Sequence, residues 1–247
     1  MEKMVVQQKE QESYHCDSCK DKGFIFKNDG MYEVGIKCKC QILKEAKNKM
    51  NNSGLGDLLE IRTFENYIVE EKHQEVIKET AIRYLNEFLK RNRRSFAIMG
   101  QSGVGKTHIM AAVSRKLIDE NINVKYYMAD EIIQILQANK FDEINYSKKF
   151  GEIANVGVLF IDDLFKTSIE NYYNKESIKI EDFRELFKVI NYRCNKGLPI
   201  LLNSEVHFER FEALDQATIG RINEMCNYEY LVSIKPDINK NYRLTRR

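Results

Sequence analysis

Residues 95–107 read Ser95-Phe96-Ala97-Ile98-Met99-Gly100-Gln101-Ser102-Gly103-Val104-Gly105-Lys106-Thr107, an apolar run that breaks into the pattern G-x-x-x-x-G-K-[ST]. The run predicts a short buried strand over 95–99. From Lys106 to Asn121, Ile109, Met110, Val113 and Leu117 recur on one helical face. A glycine-rich loop in that context is a phosphate cradle. Its glycines let the backbone curl until successive N–H groups converge on phosphate oxygens, and the helix N-terminus adds partial positive charge. Gly100, Gln101, Ser102, Gly103, Val104 and Gly105 are therefore expected to hold ATP, with His108 beside them. Lys106 would reach the β- and γ-phosphates, and the Thr107 hydroxyl would ligate magnesium.

Working outward, strands and helices alternate. Strands are predicted at 123–128, 156–161, 199–203 and 228–234, and helices after Asp130 (read as an N-cap), over 180–195, near 208–214 and over 218–226. Such alternation predicts a parallel sheet with helices on both faces. The strand Val158-Leu159-Phe160-Ile161 ends in Asp162-Asp163. At a strand's carboxyl end Asp162 would help hold magnesium, and Asp163 would polarise the attacking water. Asn203 ends the next strand, where a short polar side chain would hydrogen-bond the γ-phosphate or that water. Arg221, early in a short helix, reads equally well as a surface charge or as a finger completing a neighbouring subunit's site.

Upstream, Cys16-x2-Cys19 and Cys38-x-Cys40 offer four thiolates to a tetrahedral zinc ion, with His15 a possible substitute and unliganded thiols the alternative. Phe24-Ile25-Phe26 and Glu33-Val34-Gly35-Ile36, flanking Asn28-Asp29-Gly30, predict a hairpin between the two knuckles. Asn51 to Gly56 reads as a linker, followed by a helix over about 73–91. Three segments are thus expected: a zinc module over 1–50, linker and helix over 51–94, and the nucleotide-binding domain over 95–247. Cys194 and Cys226 read as core residues.

The chain has 247 residues, 43% of them hydrophobic and 31% charged, as in globular rather than disordered proteins. Lys and Arg total 39 against 37 Asp and Glu, so no global polycation clamps nucleic acid. Any such contact must be local, and two basic clusters are candidates: Arg91, Arg93 and Arg94, and Lys235, Lys240, Arg243, Arg246 and Arg247. No apolar stretch approaches the ~20 residues of a membrane span, and no secretory signal is apparent, so a cytoplasmic protein without membrane partners is expected.

With these residues in place, the chain resembles bacterial helicase loaders of the DnaC/DnaI type, within the AAA+ ATPases. The resemblance rests on CDSCKDKGFIF…CKC, Thr63-Phe64-Glu65-Asn66-Tyr67, GQSGVGKT, VLFIDDL, ILLNSE, Gly220-Arg221-Ile222-Asn223-Glu224-Met225-Cys226 and Asn241-Tyr242-Arg243-Leu244. It implies an AAA+ fold with a five-stranded parallel sheet and a truncated lid. It also implies Asn203 as sensor 1, Arg221 as arginine finger and Arg243 as a sensor-2-like ATP contact. The expected partners are a hexameric replicative helicase, gripped by the zinc module, and single-stranded DNA, with nucleotide-dependent homo-oligomers. The resemblance extends to IstB-like transposition helpers; a zinc-dependent adaptor with a merely structural nucleotide site is the remaining alternative.

Overall fold

The computed structural model describes residues 14–28, 30, 32–52, 61–90, 92–172, 175–237 and 240. Arg91 and the segment 241–247, with Arg243, Arg246 and Arg247, lie outside the described residues. Five strands form the central sheet: β3 (Phe96–Met99), β4 (Val124–Met128), β5 (Val158–Asp162), β8 (Ile200–Ser204) and β9 (Leu231–Ser233). Their spatial order is β4-β5-β8-β3-β9, and every pairing is parallel. Every residue of β3, β5 and β8 is buried, as doubly covered parallel strands require. Register aligns Ile98 with Asn203 and Met99 with Ser204, so the P-loop strand and the Asn203 strand end side by side. Because β8 lies between β3 and β5, loop, asparagine and paired aspartates share one edge.

Helices α2 (Lys72–Leu89) and α3 (Lys106–Asp119) pack on each other, while α4 (Ala129–Ala138), α5 (Glu143–Ala154), α6 (Ile180–Lys196) and α8 (Gln216–Met225) form a second group. A short α7 (Phe208–Leu214) precedes α8. Tyr84 of α2 stacks on Phe96 with ring centroids 5.2 Å apart, fixing α2 over the P-loop strand. Gly197 closes α6 at φ 62°, in the left-handed region where glycine carries no Cβ penalty. Arg193, one turn earlier, is fully buried and donates to the carbonyls of Ala154, Val156 and Pro199 at 2.6–2.9 Å. One guanidinium thus satisfies carbonyls from the end of α5 and from the segments leading into β5 and β8.

Several elements differ from expectation. Asp130 is not an N-cap: α4 starts at Ala129 behind Met128, and the Asp130 carboxylate accepts from the Thr167 hydroxyl at 2.5 Å. An antiparallel hairpin, β6 (Ile169–Tyr172) and β7 (Lys175–Ile178), follows the paired aspartates where no strand was expected. The cysteine hairpin forms as β1 (Phe24–Asn28) and β2 (Glu33–Lys37). Helix α1 (Lys39–Asn52) then runs through the expected boundary at residue 50 and takes in Asn51 and Asn52. It packs on β4 and α3, with Ile42 and Leu43 against the main core. Residues 53–60 of the expected linker lie outside the described residues. Cys226 is buried as expected, whereas Cys194 is only half-buried. Among the described residues no α-helix follows β9, and no helix is long and apolar enough to cross a membrane.

Candidate functional site

A cavity of about 460 Å³ opens at the carboxyl edge of the sheet, between the loop at 102–107, the end of β5 and the segment 62–68. Positive φ values at Gly100, Gly103 and Gly105 give the loop its curl. At Gly100 a Cβ would stand 2.9 Å from the Ile234 backbone, so the close approach of β9's exit admits only glycine. Gln101 exchanges hydrogen bonds with the Asp237 backbone and so ties the cradle to the chain beyond β9. Lys106 is buried and donates to the Gly100 and Gln101 carbonyls at 2.6 and 2.9 Å. Burial pulls its pKa down, and the carboxylates of Glu205, Asp163 and Asp162 oppose that. Its ammonium is held at the cradle by acceptors that phosphate oxygens can replace. Thr107 lines the same cavity.

Asp162 is 4% exposed. Its Oδ1 accepts from Asn203 Nδ2 at 3.0 Å and from the Asp163 backbone at 3.1 Å. Burial raises its pKa, with the Asn203 hydrogen bond in opposition. A carboxylate held out of water, with no salt bridge among the described residues, suits a dication. Asp162 and Thr107 are the residues that would hold magnesium, which when bound neutralises charge on the β- and γ-phosphates. Asn203 does not line the cavity; it is fully buried, with its amide on Asp162. Asp163 lines it and carries its carboxylate 2.9 Å from Lys166 Nζ.

His108 lines the cavity, but its Nε2 goes to the Thr63 carbonyl at 2.9 Å and to Asn66 Oδ1 at 3.0 Å. Both partners are acceptors, so Nε2 carries the proton and donates. The ring meets Tyr67 edge-on at 5.0 Å, and burial lowers its pKa. His108 therefore pins segment 63–67 over the loop. Tyr67 is a residue to which the sequence alone assigns no role: its phenol covers Gly105, and its buried hydroxyl has no partner among the described residues. Arg62, Lys166 and Glu205 also line the cavity without having been singled out. Only folding brings them there, although the conspicuous Thr63–Tyr67 stretch pointed to the region.

Arg221 stands outside this cavity. Its Nε donates to Asn191 Oδ1 at 2.8 Å, and its guanidinium lies over Phe187 at 5.2 Å.

At the N-terminal hairpin, Cys16, Cys19, Cys38 and Cys40 place all four sulfurs within 4.8 Å of one another. Cys16 and Cys38 are 3.7 Å apart, and Cys19 and Cys40 3.4 Å. Tetrahedral zinc–thiolate bonds require sulfurs about 3.8 Å apart, so the cluster fits zinc, which would tie the two knuckles together. The shorter second knuckle is no obstacle, because α1 begins there and aims Cys40 inward. His15 is not part of the set: its side chain is 99% exposed, against Asp21. The Asp21 carboxylate caps the first knuckle, accepting from the His15 and Cys16 backbones at 3.1 and 3.0 Å.

Comparison with known proteins fits this geometry. Residues 42–236 match the IstB-like ATP binding protein family. The chain belongs to that family. It is 34% identical over 215 residues to the uncharacterized protein YqaM of Bacillus subtilis (strain 168), covering 84% of this chain and 66% of YqaM. It is 32% identical over 231 residues to the phage-like element PBSX protein XkdC of the same organism, covering 90% of this chain and 83% of XkdC. The chain thus spans just under two thirds of YqaM's length. Among solved structures, the DnaC helicase loader shares the fold with a TM-score of 0.58 at 20% identity, over 72% of this chain and 98% of that one. The core is an AAA+ ATPase domain of the DnaC and IstB-like kind, preceded by a four-cysteine module.

Proposed function

We propose that this member of the IstB-like family is an ATP-driven loader that places a hexameric replicative helicase on single-stranded DNA. One observation carries the reading: a complete phosphate cradle with both aspartates stands on the same chain as a four-cysteine hairpin that exposes apolar side chains on both of its faces. Phe24 and Phe26 lie on one face and Val34 and Ile36 on the other, all at least 42% exposed, and either pair is suited to a protein partner. In this reading Lys106, Thr107, Asp162 and Asp163 act on ATP in one subunit, and Arg221 supplies the missing positive charge from the next. Nucleotide state then sets the loader's own assembly and its grip on helicase and DNA. For DNA, Arg93 and Arg94 are exposed at the surface, while Lys235 and Lys240 have surface carboxylates, Glu209 and Asp237, within 4 Å.

The family match favours a second reading, a transposition helper working with a transposase on duplex DNA. Co-purification decides between them. A loader captures a replicative helicase in a way that responds to ATP and that a Phe24→Ser/Phe26→Ser variant loses. Capture of a transposase and not of helicase sinks the loader reading. Normal helicase capture with no ATP turnover, even with single-stranded DNA present, would favour an adaptor.

A further inference from the structure

The paired aspartates are followed by a turn that carries its own cation. Lys166 Nζ sits 2.9 Å from Asp163 Oδ2 and 3.4 Å from Glu205 Oε1, and all three side chains line the nucleotide cavity. The backbone holds this triangle firmly. Leu164 N–H donates to the Asn203 carbonyl at 2.9 Å, and the Ser204 hydroxyl to the Leu164 carbonyl at 3.0 Å. The loop after β5 is therefore stitched to the end of β8, from which Glu205 extends. Asp163 and Phe165 are both held at positive φ, 55° and 59°, a conformation that side chains other than glycine rarely adopt. Phe165, buried edge-on against Phe211, anchors that turn in the core.

An ion pair this exposed contributes little to folding; the Lys166 side chain is 45% exposed. Its consequence lies in what it occupies. A carboxylate that polarises water needs a free oxygen and undiminished basicity, and Lys166 takes an oxygen and neutralises the charge. Glu205, with Oε1 already 3.4 Å away, offers the same ammonium a second seat.

We propose that Lys166 is a latch on hydrolysis: on Asp163 it holds the water-polarising carboxylate at rest, and by moving to Glu205 it releases it. Lys166 and Glu205 are then positioning residues that set turnover through Asp163 and leave nucleotide affinity almost alone. The proposal rests on the ATPase reading of the cavity, and the two fail differently. Loss of nucleotide binding by the unaltered chain removes the ATPase reading; the latch is judged by the rates of its variants.

The experiment measures steady-state ATP hydrolysis and fluorescent-ATP affinity for the full chain, Lys166→Met, Lys166→Arg and Glu205→Gln. The latch requires Lys166→Met to raise kcat severalfold with affinity changed less than twofold. It requires Lys166→Arg to stay near the unaltered rate, and Glu205→Gln, which leaves the ammonium only its Asp163 seat, to lower kcat. Opposite signs for Lys166→Met and Glu205→Gln are something a structural ion pair cannot produce. A readout independent of hydrolysis is acylation of Lys166 in the nucleotide-free chain, followed by mass spectrometry. Asp163→Asn should speed it severalfold, because the paired carboxylate holds the ammonium above its ordinary pKa. A Lys166→Met variant no faster than the unaltered chain overturns the latch. A variant with weaker nucleotide binding and slower turnover also overturns it, and would make Lys166 a phosphate contact.

Discussion

Asn203 donates its amide to Asp162 across 3.0 Å, and its own buried Oδ1 has no partner among the described residues. The two residues come from β8 and β5, adjacent only in the folded sheet. Asn203 thereby favours the charged form of a desolvated carboxylate. Replacing it with alanine removes a hydrogen bond that lowers the Asp162 pKa, so the carboxyl moves further up. The acid limb of magnesium-dependent hydrolysis should shift to higher pH, and turnover should fall about tenfold, the effect of ~1.4 kcal/mol. A pH–rate profile checks both.

Asp162 also links stability to pH. Its folded pKa lies above its unfolded value, so between the two the native state binds more protons than the unfolded chain. Its burial is therefore harmless below the unfolded value and costs stability as pH rises through the folded one. Asp162→Asn keeps the shape and removes that charge. Above that folded value the expected outcome is a protein without turnover whose melting midpoint rises by roughly 2–4 °C, the response to ~1 kcal/mol in a chain of this size.

Arg193 should be among the costliest single side chains to lose. Burial lowers its pKa to about 10, so it is still charged at neutral pH. Arg193→Ala strands the carbonyls of Ala154, Val156 and Pro199 and opens a cavity. A loss of about 3–5 kcal/mol is expected, with a midpoint lower by roughly 10 °C. Thermal denaturation of the purified variant measures it, and a shift of only a degree or two would contradict the clamp.

Gly105→Ala should damage the cradle by a route no motif predicts. The added Cβ would stand 2.6 Å from the Tyr67 hydroxyl, at a φ of 96°. Nucleotide affinity should drop at least about tenfold. The double variant with Tyr67→Ala should regain thermal stability but not full affinity, because the backbone strain persists. Calorimetry and nucleotide titration separate these terms.

Arg221→Ala should reduce ATP hydrolysis at concentrations where subunits associate and leave nucleotide binding within about twofold, since Arg221 is outside its own cavity. Normal hydrolysis by an oligomeric variant would return Arg221 to a surface role. For the cysteine module, metal analysis should give one zinc per chain. Chelation should release four additional reactive thiols of the six present, while the melting transition of the ATPase core persists.

The amino-acid sequence by itself determined the P-loop, its strand and helix, the paired aspartates, the four cysteines and the order of alternating elements. Each rests on chemistry local in the chain: glycines that let a loop curl, apolar runs that must be buried, thiols at ligand spacing. Tertiary structure alone decided what lies across from these groups. That β8 separates β3 from β5 turned Asn203 toward Asp162 instead of the cavity. The approach of segment 62–68 put Tyr67 on Gly105 and His108 on Thr63. Glu205 and Lys166 met only because two loops are stitched together. The helix after the second knuckle and the hairpin after the aspartates went unread, since α1 is polar on average and β6 and β7 are short and polar. Pairing between residues far apart depends on strand order and on which faces meet, and no window of sequence contains either.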